Sequence, residues 1–307
     1  MVISQQHLVT NPVRAELTDD QTRVLDFAVR EFAHGDVALA TLTEIRGGAA
    51  RALGAHMAIA GDGRYCGYVS GGCVEAAVAA EALDAIAAGS DRSIMLGAGS
   101  RFFDISLPCG GGITVAVHVV NDIRPLKQVL SNISGRSLTA LRYCPKSQTL
   151  QVCPTRSRSG WCDGAFITVY RPRVRLLISG NSIEADTVAR LGRSANFDVG
   201  AIDPAHPEQI YDRIDPATAV VLLHHDPEAE LPILEVALRS EAFYVGALGS
   251  TRTHRRRCER LHEAGFLERD TARIKAPIGM FGPTKQSIPL ALSILADVSA
   301  TNLTRFA

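Results

Sequence analysis

Apolar and polar positions set two rhythms along the chain, and the change between them falls near Val174. Residues 1–20 are polar and read as a loosely attached arm. From Asp20 to His34, apolar residues at Val24, Phe27, Ala28 and Phe32 follow helical spacing, with Gly35 as the stop. Val37–Glu44 reads as a strand and Arg46-Gly47-Gly48 as a loop. His56–Ala60 and Tyr65–Val69 predict a hairpin turning at Gly61-Asp62-Gly63. An alanine-rich helix is expected over Val74–Ala88, followed by strands at Ser93–Leu96 and Ile113–Val120. The expected first domain is mixed α+β and spans 1–120.

Residues 121–173 have a different character. Leu138–Tyr143 and Thr149–Val152 predict a hairpin about Pro145-Lys146-Ser147, and Ala165–Tyr170 a third strand. This stretch reads as a connecting β-hairpin segment. From Val174, strands and helices alternate: strands at Val174–Ile178, Phe197–Ile202, Ala219–Leu223 and Phe243–Leu248, and helices at Ile183–Ser194, Ala229–Arg239, Thr251–Ala264 and Pro283–Ala300. That alternation implies a Rossmann-like, doubly wound domain over 174–307 with a mostly parallel sheet. The fold class is α/β.

Composition narrows the function. The 307 residues carry 32 basic and 32 acidic side chains, a formal net charge of zero. Nucleic-acid and membrane-surface binders carry a basic excess, so neither partner is expected. No apolar run is long enough to span a bilayer, and the start M-V-I-S-Q-Q-H lacks a signal-peptide layout. Seven cysteines, an odd number without paired C-x-x-C spacing, fit reduced thiols in a cytoplasmic protein. Cys144, Cys153 and Cys162 read as ordinary thiols rather than metal ligands, whose spacing is usually tighter.

Two glycine-flanked cysteines carry the candidate chemistry. In Ser70-Gly71-Gly72-Cys73-Val74-Glu75 the chain breaks after a strand and starts a helix. The glycines permit a sharp turn and a close ligand. Cys73 falls at or near the first turn, where the helix dipole favours a thiolate or an anion. Pro108-Cys109-Gly110-Gly111-Gly112 precedes an apolar strand in the same domain. Cysteine is also a common buried residue, and glycine pairs serve any tight turn. Glu75 either contributes to the site or caps the helix.

These two loops resemble the signature loops of the XdhC/CoxI family, accessory proteins that mature molybdenum hydroxylases such as xanthine dehydrogenase. The similarity extends through Leu39-Ala40-Thr41-Leu42, Gly61-Asp62-Gly63, His225-Asp226, 244–250 and Ala276-Pro277-Ile278-Gly279, so it covers most of the chain. The resemblance implies a chaperone that binds molybdenum cofactor (molybdopterin), assists or protects its sulfuration and delivers it to a hydroxylase client. It implies no catalysis in the strict sense. Cys73 and Cys109 become candidate molybdenum ligands, and the backbone of Gly71, Gly72 and Gly110–Gly112 a cradle for anionic parts. A cysteine desulfurase is an expected second partner, and a homo-oligomer the expected state.

The second domain offers weaker signals. A dinucleotide site needs G-x-G-x-x-G at the first strand–helix turn. Gly180-Asn181-Ser182-Ile183-Glu184-Ala185 keeps only the first glycine and adds a carboxylate, so NAD(P) is not an expected cofactor. Asp203 stands where a ribose-binding acid would, but strand ends favour that residue anyway. An NAD(P)-dependent oxidoreductase remains the rival reading. His225-Asp226 either lines a ligand site or caps the next helix. Gly249-Ser250 before Arg252 and His254 resembles an anion-binding strand–helix junction, with Arg255–Arg257 a solvated basic face.

Overall fold

The computed structural model describes residues 11–98, 110–224 and 226–305. The polar leader contributes a strand: Val13–Glu16 (β1) lies parallel to Arg64–Gly67 and opens its pairing with Val13 N–H donating to Gly63 O at 2.9 Å. Its side chains are largely exposed, so no apolar pattern marks it. Helix α1 (Gln21–Phe32) starts at Asp20, whose carboxylate accepts the Thr22 N–H at 2.9 Å. Strands β2 (Val37–Arg46), β3 (His56–Ala60) and β4 (Arg64–Gly67) follow, then α2 (Glu75–Ala88), β5 (Arg92–Gly97) and β6 (Gly112–Val119). Together they form a six-stranded sheet in the order β1-β4-β3-β2-β6-β5.

The period of two along β2 explains how the sheet is covered. Ala38, Ala40 and Leu42 face one way, packed with Val78, Ala79 and Ala82 of α2. Val37 and Leu39 face the other way, into a core shared with α1, α3 (Arg124–Ser134) and a second sheet. That second sheet holds β7 (Thr139–Cys144), β8 (Thr149–Cys153), β9 (Gly160–Cys162) and β10 (Ala165–Tyr170), in the order β8-β7-β10-β9. Segment 121–173 thus adds a helix and four strands to the first unit, Met1–Arg171. Leu141, Tyr143, Phe166 and Tyr170 reach across to the first sheet. Helix α3 falls where no element is expected from sequence.

The second unit, Pro172–Ala307, is doubly wound. It runs β11 (Arg175–Ser179), α4 (Ile183–Ser194), β12 (Asp198–Ile202), a 3₁₀ turn (Pro207–Arg213), β13 (Thr218–Leu222), α5 (Pro227–Arg239) and β14 (Tyr244–Ala247). It ends with α6 (Thr251–Glu263), α7 (Glu268–Thr271), β15 (Ile274–Lys275) and α8 (Ser287–Thr304). All pairings are parallel, in the order β12-β11-β13-β14-β15. Both faces are buried: Leu176 and Ile178 pack toward α4 and α8, Leu177 toward α5. Such strands read as continuous apolar runs.

One expectation fails here. Arg257, read as part of a solvated basic face, is 2% exposed. Its Nε donates to Glu230 Oε1 at 2.5 Å and its Nη2 to Leu248 O at 2.7 Å. Seen from the sequence, the helix is basic all round. Only packing against α5 shows which arginine turns inward.

In the first unit His56 is buried between Thr41 Oγ1 (3.0 Å from Nδ1) and the Tyr170 hydroxyl (2.5 Å from Nε2), joining β2 and β3 to β10. Burial lowers its pKa to about 3. The unfolded chain binds a proton near the ordinary value while the folded chain does not, so stability falls as pH drops from about 7 towards 3. His56→Gln, which cannot titrate, should remove a slope worth on the order of 4 kcal/mol across that window. Urea melts of both chains at several pH values check this, and parallel pH profiles would refute it.

Candidate functional site

The sheet directions bring the glycine loops together. β2, β4 and β5 end, and β6 begins, at one end of the first sheet. The loops 68–74 and 47–55 emerge there, and Gly110–Gly112 enters there. Gly71 lies against Ala50, and a Cβ at Gly111 would sit 2.3 Å from Gly48 O. The 47–51 loop is therefore packed between the two glycine runs. Only glycine fits at Gly111 and at Gly112, where a Cβ would meet Ala98 O at 2.3 Å. Those two glycines serve close backbone packing. Cys109, the second candidate ligand, lies outside the described residues, whereas Gly110 is exposed with φ +67°.

Glu75 shapes the Cys73 loop. It is the first residue of α2, is fully buried, and acts as an acceptor. The N–H groups of Val69 (3.2 Å), Ser70 (2.8 Å) and Val74 (3.2 Å) donate to its carboxylate, and Ser70 Oγ donates at 2.8 Å. The N-cap residue Val74 has no side-chain cap, and the carboxylate instead ties the Val74 N–H and the preceding loop to the start of the helix. A group bonded on so many sides and shut from solvent is a positioning residue for the loop. Ser70 is likewise buried; its Oγ accepts the Gly72 N–H at 3.2 Å and lies 3.5 Å from Cys73 Sγ.

Cys73 falls one residue before the N-cap rather than inside the helix, and it is exposed. Neighbouring Cys66 is buried in β4, and burial pushes its thiol up to about 11, which keeps it inert. The N–H groups of Gly71 and Cys73 have no partner among the described residues, so the loop presents one soft sulfur and two donors. Two arginines that sequence reading passes over frame this end. Arg51 Nε donates to Ser70 O (3.3 Å), its Nη1 pairs with Asp19 (2.6 Å), and its guanidinium stacks on Tyr68 at 5.3 Å. Arg46 ties β2 to Ala98 O and Ile113 O. The one sequence sign was the spacing R-G-G-A-A-R between two strands.

In the second unit Gly249, Ser250 and Thr251 line a cleft of about 630 Å³ with Leu248, Leu290 and 277–284. Gly249 has φ +125°, and Ser250 caps α6 by accepting the Thr253 N–H at 3.2 Å. Arg252 is exposed beside it. Asp226 caps α5, accepting the Glu228 N–H at 3.0 Å, while His225 lies outside the described residues. At the first strand–helix turn, Ser182 Oγ accepts the Ala185 N–H at 3.3 Å, and Ala185 packs in the core. The α4 first turn carries Glu184 and Asp186, so negative charge stands where a pyrophosphate would approach. No group of metal-binding residues forms among the described residues.

Glu75→Gln places an amide N–H₂ among donors. Leaving them unsatisfied should cost roughly 2–4 kcal/mol and release the loop. Urea denaturation and faster hydrogen exchange at Ser70 and Val74 would show this; unchanged stability and protection would rule out the positioning role.

Comparison with known proteins agrees along the chain. Residues 33–96 match the model of the XdhC and CoxI family, and residues 176–298 match the XdhC Rossmann domain. The chain is 48% identical over 293 residues to the molybdenum cofactor insertion chaperone PaoD of Escherichia coli (strain K12), covering 95% of this chain and 92% of that protein. It is 24% identical over 318 residues to a protein of Bacillus subtilis (strain 168) described as a probable xanthine dehydrogenase subunit, covering 87% of this chain and 93% of that protein. A crystal structure described as a xanthine dehydrogenase from Bacillus halodurans superposes with a TM-score of 0.72 at 19% identity, covering 94% of this chain and 97% of that one, a likeness of fold. With both glycine loops at one sheet end, a Rossmann-like second unit and near-complete alignment to PaoD, the chain belongs to the XdhC and CoxI family.

Proposed function

We propose that this protein binds molybdenum cofactor as cargo, shields it and assists its sulfuration, and delivers it to a molybdenum hydroxylase of the xanthine dehydrogenase type. The observation that carries this reading is the 48% identity to a molybdenum cofactor insertion chaperone over 95% of the chain. The first unit suits this role, because an exposed free cysteine, Cys73, stands on a loop braced by a buried carboxylate. Sulfur is a good donor to a soft, high-valent metal held by a dithiolene, and can also exchange sulfur. The N–H groups of Gly71 and Cys73, without a partner among the described residues, suit anionic oxygens of the cargo. Ser70, Gly72, Glu75 and Gly110–Gly112 hold the loops; Cys109 is the second proposed sulfur ligand.

In the second unit by itself, Gly249, Ser250 and Arg252 at the start of α6 are proposed contacts for an anionic group, with His225 and Asp226 at the neighbouring strand end. A cysteine desulfurase as sulfur donor, a cytoplasmic setting and a homo-oligomeric state complete the reading. Among the described residues no helix is long and apolar enough to cross a membrane. NAD(H) and NADP(H) are expected not to bind tightly, because Ser182, Glu184 and Asp186 occupy the turn that would hold the pyrophosphate. Saturable micromolar binding (about −8 kcal/mol) would favour an oxidoreductase instead.

The direct experiment loads the purified chain with reduced cofactor and measures molybdenum and pterin per chain. Stoichiometric retention is expected for the native chain. Cys73→Ser should lower affinity at least about tenfold, about 1.4 kcal/mol, and impair activation of a desulfo-hydroxylase more than Cys109→Ser does. Full retention and activation by a folded Cys73→Ser chain would sink the assignment of Cys73. No retention by the native chain would favour a scaffold that only docks the hydroxylase and its sulfur donor.

A further inference from the structure

At the other end of the first sheet is a second cleft, of about 480 Å³, between the end of β6, the start of α3 and the β7–β8 hairpin. His118 lies six residue steps along β6 from Gly112, about 20 Å of extended chain, so this cleft is remote from the Cys73 loop. Its rim is polar and exposed: Asn121, Gln128 and Gln151 supply carboxamides, as does Gln148, whose Oε1 already accepts the Asp91 N–H at 3.3 Å. Its deepest polar group is His118, which is 4% exposed.

His118 is oriented by a buried carboxylate. Asp91 Oδ2 accepts from His118 Nδ1 at 2.8 Å and from the Tyr143 hydroxyl at 2.8 Å, while Oδ1 accepts the Val119 N–H at 2.9 Å. Burial works against its charge, but the bonds from His118, Val119 and Tyr143 hold the carboxyl below its usual range. A carboxylate has no proton to give, so Nδ1 carries the hydrogen, and in the Nδ1–H tautomer of the imidazole the lone pair is on Nε2. Nε2 has no partner among the described residues, and His118 is part of the cleft lining.

A structural histidine in a buried network normally uses both ring nitrogens, as His56 does with Thr41 and Tyr170. His118 uses one and turns the other to a cavity. The surrounding chemistry restricts the occupant. An anion would face the Asp91 carboxylate, which lies 2.8 Å behind the ring at Nδ1. The rim cation Arg124 is already bonded to Asp122 through Nε (2.9 Å) and Nη2 (2.8 Å). A metal ion would find no group of three ligating side chains here among the described residues. Carboxamides, which donate and accept side by side, match groups that do the same.

We propose that this cleft is a second binding site, in which His118 Nε2 accepts an N–H from a small uncharged ligand whose adjacent donor and acceptor groups pair with the rim carboxamides. Ureas, carboxamides and lactam heterocycles form that class.

The probes are uracil, urea and acetamide, with sodium acetate as the anionic control, titrated into the full chain. The signals are the His118 imidazole ¹⁵N and ¹³Cε1 resonances, and in the variant without His118 the backbone amide resonances of Gln128 and Val152, which line the same cleft. Uracil is expected to produce saturable shifts with a dissociation constant of roughly 1 mM, typical of a fragment of this size. His118→Asn keeps a donor toward Asp91 but lacks Nε2, so it should abolish the binding without changing the thermal midpoint. Should that variant not fold, the exposed rim variant Gln151→Ala is read instead, with affinity expected to fall at least about threefold. Unmoved His118 signals up to about 50 mM of all three neutral probes would overturn the site, as would saturation equal to that of acetate. Unaltered uracil binding in a folded His118→Asn chain would overturn it too. Cofactor loading at Cys73 enters none of these readouts, so this site and the proposed chaperone function fail separately.

Discussion

A single buried carboxylate organises the site end of the first unit. Glu75 gathers the N–H groups of Val69, Ser70 and Val74 and the Ser70 hydroxyl around itself. Burying a carboxylate without such donors is costly, and with them the loop has one low-energy conformation. That conformation leaves Gly71, Gly72 and Cys73 outermost, the glycines exposed and the sulfur facing solvent. The same carboxylate fastens the helix start to the loop, because it also accepts the N–H of the N-cap residue Val74. Binding residues on a loop thereby acquire the rigidity of the sheet and helix beneath them.

Close backbone approach is the second constraint at this end. Gly111 and Gly112 fit against Gly48 O and Ala98 O with no room for a Cβ, and Arg46 ties the same strands by bonds to Ala98 O and Ile113 O. The glycine run beside Cys109 thus has a packing reason independent of any ligand. Arg51 links this architecture to the Cys73 loop by binding Ser70 O and stacking on Tyr68. A carrier benefits from such a design: it must hold a reactive group in fixed geometry and still release it, so the donors are few and exposed.

The second unit meets a different demand. Its sheet is covered on both faces, and the loops at the carboxyl ends of its strands are left for ligands. The turn after β11 is closed by Ser182 and made acidic by Glu184 and Asp186, whereas the turn after β14 is open, with Gly249 at φ +125° beside a cleft. The buried Arg257–Glu230 pair holds Leu248 O just ahead of that turn. Breaking such a pair strands a charge in the interior, so the junction is tied to the core of its own unit.

The amino-acid order by itself determined the strands and helices whose burial is regular. Helix Ile183–Ser194, strands His56–Ala60 and Ala165–Tyr170, and the parallel character of the second unit follow from periodicity and from runs buried on both faces. It also determined the family, because the two glycine–cysteine loops are local strings of residues. Tertiary structure alone decided what depends on partners distant in sequence. β1 exists because β4 offers an open edge, and its exposed side chains carry no sign of it. Glu75 is a brace because Val69, Ser70 and Val74 converge on it, whereas the sequence left ligand and cap equally open. Arg257 turns inward because Glu230 on another helix awaits it. His118 drew no notice as one histidine in an apolar strand; Asp91, 27 residues away, and the α3 start make it the floor of a cleft. Periodicity records which face of an element is buried, and only folding brings together the polar atoms that meet on that face.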